Sequence, residues 1–490
     1  MTHRRYPKWM WMSHPCSRGC PTFCGFRKVG KETLALLAFL AALTLPASAE
    51  WKEQVLYSFQ GGSSDGSVPA GGVVFDKKGN LYGATTDGGP ASCAPIGGAC
   101  GTVFQLTPPT QKGGSWTETL IYQFQGEAQK DGSVPTGGLI FDAAGNLYGV
   151  TGYGGTGDCV LIGVKGGCGT VYELSPPTQQ GGAWTETILY SFQGGNDGYV
   201  PSGDLVFDKS GNLYGSTIFG GGKGTTCDSF YQYCGTVFKL SPLKKQSGAW
   251  TEKVLHSFAG VASGQSSGDG ANPNGGLVLD SKGAVYGTTY YGGNNQKGTC
   301  EGGSWGTGCG IVFRLIPPTK KGGAWTEKVL HSFDGKDGSN SAAGVIFDGN
   351  GNLYGTTYGG PMHGYGLVFE LKGPSGKGHS WRETVLHPFG DGNDGGYPSA
   401  GLTFDSIGNL YGTAFGGETH AGVVFRLKPP EPRNSWPLTV LYNFSGAPDG
   451  DHPTAALIFD RKGNLYSTTQ WGGTGQSCQG GCGTVFEVTP

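Results

Sequence analysis

Little in this chain reads as helix. Beyond residue 50 no long apolar helical pattern occurs, so mostly β structure is expected. Charged residues are scarce, 14% of the 490, and the formal net charge is only −2. Intrinsic disorder requires high net charge and few aromatics, and aromatics here reach 12%, so disorder is excluded. Glycine is abundant at 95 residues but has no three-residue period, which excludes collagen. His/Asp/Glu sets with metal-ligand spacing are lacking, and no metal or other cofactor is expected.

The first 49 residues differ from the rest. Arg27, Lys28 and Lys31 precede the apolar run "TLALLAFLAALTL" (33–45), followed by Ala47-x-Ala49 before Glu50. A charged flank, a short apolar core and a small-x-small exit predict a signal peptide over 1–49, cleaved after Ala49, and a secreted or periplasmic protein. The segment before the run is long, which points to a start codon further in. The run is too short to span a bilayer, no lipid-attachment Cys follows it, and no C-terminal anchor is recognisable. Its removal takes seven basic residues and one acidic one, so the formal charge falls from −2 to −8. An acidic surface argues against nucleic acid or an anionic membrane as partner. Loss of Cys16, Cys20 and Cys24 reduces thirteen cysteines to ten, an even count.

Residues 50–490 are built from one repeat. Each unit holds an apolar run ending in Asp ("GGVVFD", 71–76), then "GNLYG" and its continuation, then "GTVFQL" (101–106), then a Trp-led block ("WTETLIYQF", 116–124). The Tyr of the second block recurs at 82, 148, 214, 286, 354, 411 and 466, and the Trp at 51, 116, 184, 250, 325, 381 and 436. Val, Leu, Phe, Tyr and Thr suit a pleated, packed surface, and Gly, Asn and Pro bound each block, so all four read as strands. In "FDKKGN" (75–80) the Asp suits an Asx turn and the Gly a positive φ. The Gly after the repeated Tyr is expected to relieve crowding near the axis. Four strands per unit at this period mark a propeller blade. The sequence after the signal opens on a fourth block ("EWKEQVLYSF") and closes on a third ("GTVFEVTP", 483–490). An all-β, seven-bladed β-propeller, a single domain over 50–490, follows, with residues 51–59 completing the last blade.

"GNLYGTT..GG", "G.VF.L.P" and "W.E.VLYSF" together resemble the GloVer-type (Gloeo/Verruco) tandem repeat of exported bacterial proteins, across 51–490. The resemblance implies a repeat protein that is displayed or secreted, and it implies no particular activity. The D-x-x-G-N-L-Y turn is also similar to turns of other propellers, which bears on fold alone.

Five of the loops between second and third blocks carry cysteine pairs: Cys93/Cys100, Cys159/Cys168, Cys227/Cys234, Cys300/Cys309 and Cys478/Cys482. In an exported chain these are expected as disulfides stapling the long loops, each worth about 2–3 kcal/mol if unstrained.

Propeller geometry puts the stapled loops on one face with the blade-to-blade connections. The connections repeat D-G-x-x-P, with Asp65, Asp131, Asp197, Asp269, Asp337, Asp394 and Asp449; Ser341 replaces Pro in one unit. Before the Gly-Gly of the stapled loop stand Tyr153, Phe219, Tyr291, Tyr358, Phe415 and Trp471, with Asp87 in the first unit. Flat apolar faces beside carboxylates are what sugar binding requires, so these residues are the candidate ligand-binding set. The plainer reading makes each Asp a turn residue and each aromatic a cover for its loop.

Catalytic signals are weak. G-x-S-x-G occurs at Ser64, Ser266 and Ser304, each in a glycine-rich loop with no helix following. His256, His331 and His387 take the place of Tyr57, Tyr122, Tyr190 and Tyr442 in the fourth block and read as outer-strand packing residues, while His363, His420 and His452 lie in loops of the candidate face. "DGNDGG" (391–396) and "PDGDH" (448–452) could contribute to a Ca²⁺ site but match no EF-hand spacing. The expectation is an exported, non-catalytic, monomeric propeller that binds an extracellular glycan or surface protein. The alternatives are an extracellular carbohydrate hydrolase or lyase and a purely structural interaction platform.

Overall fold

The computed structural model describes residues 50–490 except 90–91, 94–97, 127–128, 162–163, 180, 223–233, 244–249, 263–264, 267, 294–307, 375, 377–379, 391–392, 417–419 and 431–434. Seven antiparallel sheets carry the repeat, one per unit. In the first blade the path runs Val74–Phe75, Leu81–Gly88, Thr102–Thr107, Thr117–Gln123. The last blade holds Ile458–Phe459, Leu465–Thr469 and Thr484–Thr489, and its outer strand is Lys52–Ser58. That strand pairs antiparallel with Thr484–Thr489, from Lys52↔Thr489 to Ser58↔Thr484. The ring is therefore closed by the N-terminal strand, as the order of the blocks predicts.

The hairpin between first and second strands follows from its Asp. Asp76 Oδ1 accepts from the Lys78 and Asn80 amides, and Oδ2 accepts from the Asn80 side chain and the Tyr82 hydroxyl. Gly79 supplies the positive φ, +87°, that lets the chain turn back. The Gly after Tyr has a different cause from the one expected. A Cβ on Gly83 would lie 2.5 Å from the ring of Phe104, its cross-strand partner, so the glycine makes room for an aromatic of the third strand.

Each interface between neighbouring blades has its own apolar cluster, and there are seven. At every one a fully buried Phe after the fourth strand meets a third-strand aromatic of the next blade edge-on. Phe389 meets Phe425 at 5.3 Å in this way, and Phe59 meets Phe104 at 5.0 Å across the closure. Burying a side chain of this size contributes about 1.5–3 kcal/mol.

Third and fourth strands are joined through a register shift in every blade, between Val103 and Phe104 in the first. The extra residue on the fourth strand lets Leu56 pack inward while Tyr57 turns to the connection. Earlier in the fourth strand a Glu sits at the same position in six blades: Glu53, Glu118, Glu186, Glu252, Glu327 and Glu383. The Oε1 of each is buried without a hydrogen-bond partner among the described residues.

Cys93–Cys100, Cys159–Cys168 and Cys478–Cys482 are disulfides with Cα separations of 5.1–5.2 Å. Cys234 and Cys309 are also disulfide-bonded, while Cys227 and Cys300 lie outside the described residues. No helix among the described residues is long and apolar enough to cross a membrane.

Candidate functional site

The connections between blades run beside the far ends of the second strands. Gly66–Pro69 pairs with Leu81–Gly88, and Gly132–Pro135 with Leu147–Gly154. Connections and stapled loops thus share a face.

The D-G Asp residues are tied into that face from three sides. Asp65 accepts from the Tyr57 hydroxyl at 2.9 Å, the Gln60 amide at 2.7 Å and the Gly66 amide at 2.6 Å. Asp131, Asp197 and Asp449 accept from Tyr122, Tyr190 and Tyr442 in the same way. His331 and His387 take over the tyrosine's role, 2.9 and 3.0 Å from Asp337 and Asp394, and His256 lies 3.5 Å from Asp269. These histidines pack edge-on against Phe258, Phe333 and Phe389 as well as pairing with Asp. Burial opposes ionisation of Asp337, and the His331 contact together with the hydrogen bonds of Asp334 outweighs it, holding the carboxyl below its usual range. In Asp131 and Asp197 burial prevails and the carboxyl titrates high.

The residue before Pro, or before Ser341, has a positive φ in every blade: Val68, Val134, Val200, Asn272, Asn340, Tyr397 and His452, at 52–59°. Such angles are strained for β-branched side chains. A hydrogen bond to the neighbouring blade holds each in place. Val68, Val134, Val200, Asn272 and Asn340 donate to the carbonyls of Cys482, Cys100, Cys168, Cys234 and Cys309, the cysteines next to the third strands. Tyr397 and His452 donate to Tyr365 and Ala421, where no cysteine is present.

This ring breaks its symmetry in composition. Blades one to three place valine at the position, and blades six and seven place Tyr397 and His452. Tyr397 lies 5.0 Å from Tyr358, 5.3 Å from Tyr365 and 6.1 Å from Phe415, between ring centroids. Phe415 lies 4.1 Å from His452, which lies 4.3 Å from Trp471. A continuous aromatic arc thus crosses blades five to seven, ending on Trp471 at 41% exposure. Within it, His452 Nδ1 contacts the Asp451 carboxylate.

The candidate aromatics fall into two groups. Tyr358, Phe415 and Trp471 join the arc, bridged by Tyr397 and His452. Phe219 stacks on Tyr199 at 5.3 Å, Tyr291 meets Tyr290 edge-on, and half-buried Tyr153 pairs opposite Ser133. Asp87 binds the Gly88 amide. The loops also differ in length. Thr289 Oγ1 donates to the Tyr291 carbonyl and Thr357 Oγ1 to the Gly359 carbonyl, so Tyr358 corresponds to Tyr290 and not to Tyr291. Counting back from Gly-Gly conceals this one-residue shortening. Tyr397 was missed because it lies in the connection, although Val, Val, Val, Asn, Asn, Tyr, His before Pro or Ser already marks the change.

A cavity of about 510 Å³ runs through the ring, lined by the first strands and the residues leading into them. Its wall repeats a small residue: Gly72, Gly138, Gly276, Gly344, Gly401 and Ala456. The third blade places Asp204 there. Asp204 is exposed to the lumen. Oδ1 accepts from the Gly138 amide at 2.6 Å. "SGDLVFD" (202–208), set against the small-residue pairs of the other units, is the sequence signal for it. Ser399, Thr454 and Gln470 line the same cavity, and the Gln470 amide donates to the His452 carbonyl, so the lumen opens beside the arc.

Ser304, His379 and residues 391–392 of the "DGNDGG" stretch lie outside the described residues, as do the side chains of Ser266 and His363. Ser64 and His420 are exposed. Among the described residues no three His, Cys, Asp or Glu gather into a metal-binding group.

Solved structures give broad likenesses only. A protein of unknown function from Dyadobacter fermentans is 13% identical at a TM-score of 0.39, over 80% of this chain and 98% of its own. A 6-phosphogluconolactonase candidate from Bacteroides uniformis is 12% identical at 0.42, over 75% and 83%. A gluconolactonase from Xanthomonas campestris is 14% identical at 0.31, over 62% and 74%. No curated protein matches the chain. The Gloeobacter/Verrucomicrobia repeat matches residues 44–227 and 299–490, and with these motifs in all seven blades the chain belongs to that family.

Proposed function

We propose that this is an exported, non-catalytic propeller that binds a glycan on the face bearing the stapled loops. The observation that carries the reading is the arc Tyr358–Tyr397–Phe415–His452–Trp471, confined to three blades of a seven-fold scaffold. A repeated scaffold needs no run of ring contacts confined to neighbouring blades, whereas a ligand contacts only part of a ring. Aromatic faces stack on sugar rings, and Gln470, Ser399 and Thr454 beside them offer donors and acceptors for hydroxyls. Trp471, the most exposed of the five, is the expected anchor.

Retention on insoluble cellulose, chitin, xylan and peptidoglycan tests it. Wild type is expected to be held by at least one, and Trp471→Ala and Tyr397→Ala to be lost from it with thermal midpoints unchanged. Retention equal to wild type, or variants that simply unfold, would sink the reading. Export rests on the signal pattern of residues 1–49 and on the disulfides. N-terminal sequencing of protein from the native host is expected to begin at Glu50 and to find it outside the cytoplasm.

A second reading, a carbohydrate hydrolase or lyase, is favoured by the His452–Asp451 contact. A carboxylate on Nδ1 keeps the proton there and leaves Nε2 as a base. Reducing ends or unsaturated products that appear with wild type and vanish with His452→Gln would establish it over simple binding.

A further inference from the structure

The arc accounts for one broken symmetry of the ring, and Asp204 is another. Among the described residues Asp204 Oδ2 has no hydrogen-bond partner, and no Lys, Arg or His lines the cavity. Its polar lining is otherwise neutral: Thr136, Ser202, Asn274, Ser399, Thr454 and Gln470. Ser202 Oγ is already committed to Asn274 Oδ1 at 2.7 Å. Asp204 faces the lumen as its one carboxylate, with no counter-charge among the described lining residues, and a ligand with one positive charge complements it. A divalent metal ion would need several oxygen ligands of high charge, and one carboxylate among neutral groups does not supply them. The cavity volume suits a small organic group.

Residues lining the lumen neighbour the arc, and the Gln470 amide donates to the His452 carbonyl. Ser399 and Thr454 each lie two residues after an arc residue, Tyr397 and His452, and Gln470 directly precedes Trp471. A chain of sugars lying on the arc could therefore put one residue into the channel mouth. We infer that the channel takes the ammonium group of an amino sugar, with Asp204 as its counter-ion. This rests on the glycan reading and narrows it to saccharides with free amines.

Calorimetry with a tetrasaccharide of glucosamine and its fully N-acetylated counterpart tests the inference, since the two differ in charge and the acetyl groups. Wild type is expected to bind the free amine about tenfold more tightly, the scale of one charge-assisted contact. Asp204→Asn and Asp204→Gly should abolish that preference, and the Gly variant restores the residue of most other blades. Trp471→Ala should weaken both ligands by the same factor. Equal binding of the two by wild type, or a preference that survives Asp204→Asn, overturns the inference and leaves the glycan reading standing. If neither tetrasaccharide binds, the glycan reading falls. Glucosamine alone then decides the channel: binding to wild type that is lost in Asp204→Gly sustains the site, and no binding overturns it.

Discussion

Among single residues, the D-G Asp shows what the sequence could and could not reveal. Its recurrence was plain, and both a turn role and a carboxylate ring were open readings. Its third partner, where it is a Tyr, lies seven to nine residues earlier, in the previous blade's outer strand, as with Tyr122 and Asp131. A local turn reading never looks that far. Asp204 and Tyr397 were missed for the opposite reason. Aligning repeats draws attention to what recurs, and these residues stand where recurrence fails. The left-handed ring gives a residue-scale prediction. Val134 holds φ +58°, a geometry that costs a β-branched side chain about 1–2 kcal/mol, whereas Asn272 and Asn340 adopt it more readily. Val134→Asn is expected to raise stability by about 1 kcal/mol in denaturant titration, net of the apolar contact it loses. A lower midpoint would show that packing outweighs strain there.

At the scale of the strand, the outer edge stores protons. Burial pushes Glu53 and Glu186 up to about 8, and Glu118, Glu252 and Glu383 to about 7, from 4.5. A nearby Asp adds to the shift in each, and His331 opposes it at Glu383. Glu327 is raised too, against the pull of His256 and Lys328. The folded chain therefore keeps protons that the unfolded chain releases between pH 4.5 and about 8, and its stability falls as pH rises through that window. Asp208, Asp337 and Asp348 are depressed and run the other way, but from 3.8 downward, outside this window. Denaturation midpoints are expected to be higher at pH 5 than at pH 8.5, and Glu118→Gln should flatten the dependence and stabilise the protein at the higher pH. Midpoints that rise with pH would refute this. The W-x-E spacing was visible in the sequence, but whether its carboxylate met water or a neighbouring blade was not.

For the whole molecule, period, strand order and closure were all legible, because four blocks in fixed order leave few ways to bury their apolar faces. The interfaces are near copies, so Phe59→Ala and Phe389→Ala should cost alike, about 3–5 kcal/mol each, although Phe59 meets its partner blade across the chain's two ends. A much smaller loss at Phe59 would mean that the join is looser than the other six contacts.

The strand made first is also the one whose partner is made last. Lys52–Ser58 finds its place only when Thr484–Thr489 exists, some 430 residues later. Until then the nascent chain carries a β-strand with no neighbour and a six-sevenths ring with an open flank. Moving residues 51–59 to follow 490 by circular permutation would place those two strands side by side in synthesis. The permuted protein should refold faster and aggregate less, with the same final stability.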